Sequence, residues 1–178
     1  MADLARLGRS RGPIKRSRQQ DRGPRTEYLA FVLAGDVYAA PVALVREILK
    51  PPPLTPVPRA PHAILGIVSV RGQLVTVFDL RRRMRLSESP LSRKSRVLLV
   101  DGEQGETLGL YVDEVLQVYR LSEAEIEAAQ SALGGESAGY ITGIARPAQA
   151  RESQGKKGGA EPDASVVILL DLRAVLAI

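Results

Sequence analysis

Short apolar stretches separated by turn-forming residues recur along most of the chain. EYLAFVLAGDVYAAPV (27–42) has apolar stretches on both sides of Gly35, a pattern that predicts a β-hairpin. GIVSVRGQLVTVFDLR (66–81) predicts a second hairpin, because Arg71 and Gly72 interrupt two β-branched stretches and would form the turn. Arg71 is a charge at the centre of a segment otherwise typical of buried strands, and burial does not explain it.

The second half of the chain continues the same pattern. RVLLVDGEQGETLGLYVDEVLQVYRL (96–121) predicts a longer hairpin that turns at 101–105, and SVVILLDLRAVLAI (165–178) predicts a strand followed by a helical turn. Short strands at close spacing favour a small β-barrel over an α/β sheet. We expect an all-β fold with short helices, in which the strands at 28–33 and 166–171 close barrels rather than lie at free edges.

Helical structure is expected only in short segments. Ser122 and Glu125 match a capping box, which predicts a helix that ends at Gly134. The proline-rich segment KPPPLTPVPRAP (50–61) is predicted to be an extended surface connector, because its prolines lack a backbone donor and exclude a helix interior. The predicted helical segments lie near 42–44, 61–64, 80–84, 122–133 and 172–177.

Two parts of the chain repeat each other. Gly66-Ile67 is matched by Gly143-Ile144, and Asp79-Leu80-Arg81 is matched by Asp171-Leu172-Arg173. The first pair is offset by 77 positions and the second by 92, so the second copy has about 15 extra residues. These residues form a loop rich in glycine and charge. The repetition predicts two related β-lobes.

Positive charge is confined to the start of the chain. The formal net charge is +5, but residues 1–25 carry eight Lys/Arg and two Asp, so the remaining residues carry a net charge of −1. Residues 1–25 have too few apolar side chains to offset the entropy of ordering and are predicted to be a disordered basic tail. Residues 26–178 are predicted to form one domain with a flexible insert at about 149–165. Because no apolar run is long enough to span a membrane, we expect a cytoplasmic protein.

Residues that could support catalysis are scarce. His62 is the only histidine, and the chain has no cysteine, P-loop or GxGxxG motif. A zinc site or a catalytic triad would therefore lack suitable side chains, and His62 is expected to be an exposed loop residue. The basic run Arg81-Arg82-Arg83, with Arg85, is expected to be a solvated helical face. We predict a protein that is not an enzyme and binds no cofactor or metal.

Four short motifs follow one another along the chain: YAAPVALVREIL (38–49), VPRAPHAILGIVSVRG (57–72), VTVFDLR (75–81) and DLR (171–173). In order and spacing they resemble the CheW-like adaptor domain of bacterial chemotaxis signalling. The resemblance covers residues 27–178. The family usually has Asn-Leu-Arg-Gly where this chain has SVRG (69–72), so the arginine and the glycine are retained.

The resemblance implies two intertwined, five-stranded, SH3-like β-barrel lobes without enzymatic activity or a cofactor. It implies two partners, a CheA-type histidine kinase and the cytoplasmic helical-hairpin tip of chemoreceptors, together with other CheW-like domains in an array. The protein would associate with a membrane only through receptor arrays. Carried over by position, the partner-binding residues are Val45, Glu47, Gly66 and Arg71, with Gly72 as a structural turn residue.

Glu47 and Arg71 are both charged residues in segments that otherwise suit burial. Glu47 shares its side of the predicted strand with Val45 and Leu49. A carboxylate beside apolar neighbours needs a donor, and a guanidinium can bind it while keeping further donors free. We therefore expect Glu47 and Arg71 to form an ion pair on an exposed face.

A small-barrel nucleic-acid-binding protein is the alternative, motivated by the sequence pI of about 9.8 and the basic tail. Barrels that bind single strands use aromatic side chains on a strand face to stack bases. The seven aromatic residues of this chain are scattered, and a net charge of −1 outside the tail opposes phosphate binding. These features disfavour nucleic acid as a partner.

Overall fold

Two β-sheets and two short helices make up the fold, in a computed structural model that describes residues 23–88, 90, 92–129, 139–147 and 166–177. The strands are β1 (Arg25–Leu33), β2 (Asp36–Pro41), β3 (Val45–Leu49), β4 (Ile64–Val70), β5 (Gln73–Asp79), β6 (Arg96–Asp101), β7 (Thr107–Val112), β8 (Glu114–Ser122), β9 (Ile126–Ala128), β10 (Ile141–Ala145) and β11 (Val167–Leu170). The α-helices are α1 (Leu80–Arg83) and α2 (Leu172–Leu176), and 3₁₀ turns occupy Val42–Leu44 and Glu123–Glu125.

The strand order is the same in both sheets. The five-stranded sheet has the order β3-β6-β7-β5-β4, and the six-stranded sheet has the order β8-β1-β2-β11-β10-β9. Position by position, β3 corresponds to β8, the β6–β7 hairpin to the β1–β2 hairpin, β5 to β11 and β4 to β10. Among the described strands, each sheet has one parallel pair, and the two pairs are equivalent: β5 with β7 and β11 with β2. An isolated bridge from Thr55 to Ile67 occupies the place of β9 beside β4.

The chain therefore consists of two repeats that exchange their first hairpins. Repeat 1 runs from β1 to α1, and repeat 2 runs from β6 to α2. The β1–β2 hairpin joins strands of repeat 2, and the β6–β7 hairpin joins strands of repeat 1. The all-β fold with two intertwined lobes is confirmed, although one sheet has six strands rather than five. Since β1 and β11 each have neighbours on both sides, the expectation that 28–33 and 166–171 are not free edges is also confirmed.

The segments that match in the sequence occupy equivalent positions in the two repeats. Gly66 and Gly143 each follow a register shift, in the β4–β5 and β10–β11 ladders respectively. Asp79 and Asp171 are the N-cap residues of α1 and α2, and the side chain of each accepts a hydrogen bond from the backbone N–H two residues further on. The repetition seen in the sequence is thus a repetition of structure.

The apolar core consists of three clusters. The largest lies between the sheets and contains side chains from both, among them Phe31, Phe78, Leu98 and Leu170. A smaller cluster lies within each sheet, around Tyr119 in the six-stranded sheet and around Val68, Val75 and Tyr111 in the five-stranded sheet. Central strands such as β1 and β6 consequently have apolar residues on both faces, which explains their unbroken apolar sequences.

Three of the helix predictions are confirmed, that at 61–64 is wrong, and that at 122–133 is wrong over residues 122–128. The segments near 42–44, 80–84 and 172–177 are helical as expected. Residues 61–64 instead form a turn closed by the bond from Ile64 N–H to the Pro61 carbonyl (2.8 Å), after which β4 begins. In the segment 122–133, the capping box of Ser122 and Glu125 forms, but it opens only a single 3₁₀ turn.

The reason for the second error is strand pairing. Ile126–Ala128 pairs with β10, so the backbone groups that would continue a helix bond to a neighbouring strand instead. Residues 130–138 lie outside the described part of the chain. The predicted tail, apart from residues 23–25, and the predicted insert at 149–165 also lie outside it, and β1 already begins at Arg25, inside the predicted tail.

Arg81 contradicts the expectation of a solvated arginine face. Its side chain is 2% exposed, with Nε 3.0 Å from Oδ1 and Nη2 2.7 Å from Oδ2 of Asp79. Nη1 lies 2.7 Å from Oδ1 of Asp113, whose Oδ2 accepts the Ala34 N–H at 2.8 Å. The hydrogen bond to Asp79 raises the pKa of Arg81 above its ordinary value. Arg81 and Asp113 thus join the end of β5 to the β1–β2 turn, because burial of a guanidinium requires carboxylate partners.

Among the residues that the structure describes, no helix has the length and apolar character needed to cross a bilayer.

Candidate interaction surface

Arg71 lies at the tip of the β4–β5 hairpin, as predicted. Val70 pairs with Gln73, so Arg71 and Gly72 are the two residues of the turn. Both have positive φ, 50° for Arg71 and 82° for Gly72, which is the requirement of the type I′ turn that suits a two-residue hairpin. Gly72 adopts this conformation readily, whereas Arg71 is a residue type that rarely does. The turn therefore holds the arginine outward in a conformation with some backbone strain.

The predicted ion pair between Arg71 and Glu47 is present. Nη2 of Arg71 lies 2.8 Å from Oε1 of Glu47, and their side chains are 78% and 29% exposed. β3 and β4 are at opposite ends of the strand order in the five-stranded sheet, and Glu47 lies on β3 whereas Arg71 follows β4. The pair thus connects the two edges of this sheet on the surface, and the guanidinium retains free donors.

The remaining predicted residues have different environments. Val45 begins β3 and is half-buried against the apolar cluster between the sheets. Gly66 is buried within β4, with the backbone of Thr55 lying over it. The structure therefore brings Glu47 and Arg71 together on the surface, places Val45 two residues from Glu47, and places Gly66 beneath the proline-rich connector.

Two exposed apolar residues near the pair were missed from the sequence. Leu74 follows the turn, pairs with Ser69 and is 76% exposed, and Ile48 on β3 is 42% exposed. A signal for Leu74 existed, since it is out of phase with Val75 and Val77, which face the core. Leu74 and Arg71 are thus both exposed near the tip of one hairpin, a combination suited to binding a protein surface.

A second exposed ion pair of the same type lies on the other sheet. Nε of Arg120 on β8 is 2.8 Å from Oε1 of Glu27 on β1, and these side chains are 68% and 47% exposed. Glu27 and Arg120 are directly opposite each other in the β1–β8 ladder, and both lie within regular strands rather than in a turn. This pair provides a matched reference for the pair that connects the two edges of the five-stranded sheet.

No catalytic or metal centre emerges from the described residues. They contain no group of three or more His, Asp or Glu side chains placed to hold a metal ion. His62 is an exposed turn residue, as predicted, with its side chain 75% exposed and Nε2 3.9 Å from Glu88.

Comparisons with known proteins agree with this description. The family model of the CheW-like domain matches residues 27–178. The chemotaxis protein CheW of Bacillus subtilis is 34% identical over 101 residues, covering 57% of this chain and 64% of that protein. Protein FrzA of Myxococcus xanthus is 29% identical over 131 residues, covering 73% of this chain and 80% of that protein.

A solved structure shows the same fold. The crystal structure of the scaffolding protein TtCheW from Thermoanaerobacter tengcongensis matches with a TM-score of 0.69 and 25% sequence identity, covering 86% of this chain and 94% of that chain. The match extends across both sheets, and the family model spans nearly all of the described residues. The chain belongs to the CheW-like domain family, whose members include adaptor and scaffold proteins of chemotaxis.

Proposed function

We propose that this protein is a non-enzymatic adaptor that couples chemoreceptors to a CheA-type histidine kinase. One partner is the kinase, and the other is the cytoplasmic helical-hairpin tip of a receptor. Other CheW-like domains are further partners in an array, and the protein reaches the membrane through the receptors. The family assignment favours this function over nucleic-acid binding.

The observation that carries the proposal is the exposed ion pair of Glu47 and Arg71. Arg71 is 78% exposed in a strained turn, although an exposed pair contributes only about 0–1 kcal/mol to stability. A pair that stabilises the fold so little, at a position that needs an unusual backbone conformation, is better explained by a contact with a partner. Val45 belongs to the same proposed binding region, and Gly66 lies beneath the connector that follows β3.

Reconstitution tests the proposal directly. The full chain is mixed with the CheA-type kinase and a chemoreceptor cytoplasmic fragment of the same organism, and kinase autophosphorylation and ternary-complex formation are measured. We expect complex formation and receptor-dependent kinase activity only when all three proteins are present. Absence of binding to both kinase and receptor would exclude the adaptor function.

Charge reversal then tests the ion pair. Glu47→Arg and Arg71→Glu should each weaken complex formation by about tenfold or more, because the exposed guanidinium is lost or left without its carboxylate. The double variant should recover part of the binding if the pair itself orients the contact. Glu27→Arg and Arg120→Glu provide the matched control on the other sheet and should bind normally. Equal losses in both sets would show a general effect of charge rather than a specific surface.

A further inference from the structure

Gly66 is buried and has no side chain, so a partner on the surface has little access to it. An ideal Cβ at Gly66 would lie 2.5 Å from the Thr55 carbonyl oxygen and 3.0 Å from its carbon. The φ of Gly66 is +154°, which side-chain-bearing residues rarely adopt. The requirement for glycine here is therefore satisfied inside the protein, by the close approach of another backbone segment.

That segment is the proline-rich connector, and Thr55 anchors it to β4. Thr55 exchanges two hydrogen bonds with Ile67, from Thr55 N–H (2.9 Å) and from Ile67 N–H (2.8 Å). At the other end of β4, Glu47 holds Arg71. Residues 50–55, which we call the strap, connect the end of β3, the strand that carries Glu47, to the Thr55 bridge.

The second repeat shows what the strap replaces. There, Gly143 occupies the position of Gly66, and its ideal Cβ would lie 2.8 Å from the carbonyl oxygen of Glu127 on β9. β9 is a regular strand with three paired residues, whereas the strap has one bridged residue, and the nearby prolines at 51–53 and 56 cannot donate to a ladder. The strap is therefore attached less firmly than β9, and its position depends more on the single glycine beneath it.

We propose that Gly66 is a positioning residue, which sets the place of Glu47 and Arg71 on the binding surface through the strap and does not touch the partner. A side chain at position 66 displaces Thr55, the displacement passes along the strap, and the geometry of the ion pair changes. The predicted effect on partner binding rests on the proposed adaptor function. The predicted displacement of the strap and of the ion pair does not.

The decisive variant leaves Gly66 intact. Thr55→Pro removes the N–H that bonds to Ile67, one of the two hydrogen bonds of the bridge, and so loosens the strap, and Thr55→Ser is its control. With the kinase and receptor fragment as probes, below the unfolding temperature of each variant, we expect Thr55→Pro and Gly66→Ser to weaken binding similarly, by about tenfold. In both variants the Ile67 amide should exchange faster and the NMR signal of the Arg71 guanidinium should shift. Normal binding by Thr55→Pro, with the bridge broken, would overturn the proposal.

A locked strap separates positioning from contact. The chain has no cysteine, so Thr55→Cys with Ile67→Cys creates one thiol pair, and a directly opposed, hydrogen-bonded pair lies about 5.5 Å apart at Cα, within the range of a disulfide. The oxidised variant covers Gly66 permanently. Binding like that of the reduced form supports positioning, and loss of binding on oxidation would mean that a partner must reach Gly66.

Gly143→Ser controls for general strain, since it introduces a similar clash beneath β9. We expect it to lower the melting temperature with normal binding, and a loss equal to that of Gly66→Ser would overturn the proposal. If the unmodified protein binds neither probe, the adaptor function fails, but the Ile67 exchange and the Arg71 signal still decide whether Gly66 sets the strap.

Discussion

The Asp-Leu-Arg segments at 79–81 and 171–173 have the same sequence, but their arginines have different environments. Each segment joins a strand to a short helix, and we call it a corner. In both, the aspartate caps a short helix and the leucine is buried. Arg81 is buried between Asp79 and Asp113, whereas Arg173 is exposed. Identical tripeptides at equivalent positions therefore differ in whether the arginine is part of the core.

The neighbouring strand explains the difference. Asp79 pairs with Tyr111 on β7, and Asp113 follows two residues later. If the pairing of β11 with β2 is extended to Asp171, this residue lies opposite Pro41, which is therefore equivalent to Tyr111. The residue two positions later, equivalent to Asp113, is Ala43. The first corner offers a carboxylate and an aromatic ring 5.1 Å from the guanidinium carbon, and the second offers neither. A guanidinium is buried only where such partners replace its water.

Removal of the two arginines should separate the corners most strongly. Arg81→Ala leaves Asp79 and Asp113 without their buried cation and should lower the free energy of unfolding by about 3–5 kcal/mol. Arg173→Ala, at an exposed position, should change it by less than about 0.5 kcal/mol. Urea denaturation of both variants measures the difference. Similar losses would mean that Arg81 contributes through helix propensity rather than through its buried partners.

Neutralisation of the two caps should produce a smaller difference. Asp79→Asn puts an amide donor opposite Arg81, so one buried hydrogen bond is lost at about 1–3 kcal/mol. Asp171→Asn should be almost neutral, because one side-chain oxygen accepts from both Arg173 N–H and Ala174 N–H, and asparagine caps helices as well as aspartate. The urea midpoints of the two variants test this prediction. A large decrease in stability for Asp171→Asn would contradict a purely capping role for Asp171.

Alkaline pH should destabilise both sheets through buried tyrosines. Burial raises the pKa of Tyr111 beside the first corner, and burial followed by the charge of Asp36 raises the pKa of Tyr38 in the six-stranded sheet, both from 10.0. Because the folded state holds these protons more tightly, their contribution is complete below pH 10.0 and is lost as the pH rises through the higher folded values. Urea midpoints between pH 8 and 11 should fall, and less so in Tyr111→Phe and Tyr38→Phe. An unchanged alkaline fall in both variants would assign it to other groups.

The exposed ion pair should produce the smallest effect on stability. Gln117 on β8 is the residue equivalent to Glu47 on β3, so only one lobe has an acid at this position. Glu47→Gln should lower the free energy of unfolding by about 0–1 kcal/mol, as for other exposed pairs, and Gln117→Glu by no more. Thermal melts compare the two variants. A loss well above 1 kcal/mol for Glu47→Gln would show that the pair closes the sheet structurally.

Most strands and hairpin turns could be predicted, because period-two alternation and turn residues act locally. The turn at Arg71-Gly72 and the exposed pair with Glu47 followed from charges in segments otherwise suited to burial. The helix expected from Ser122 onward is absent over residues 122–128 for a non-local reason. Its capping box is real, but β10 offers Ile126–Ala128 a ladder that no local signal reveals.

The sequence by itself determined the all-β class, the repetition and the positions of the caps, since these depend on residues close together in the chain. Only the tertiary structure decided that the first hairpins are exchanged, that Thr55 covers Gly66 and that Arg81 is buried while Arg173 is not. Each of these depends on which strand lies beside which, and so on contacts between residues far apart in the chain. Asp113 is 32 residues from Arg81 and becomes its partner only when β7 pairs with β5.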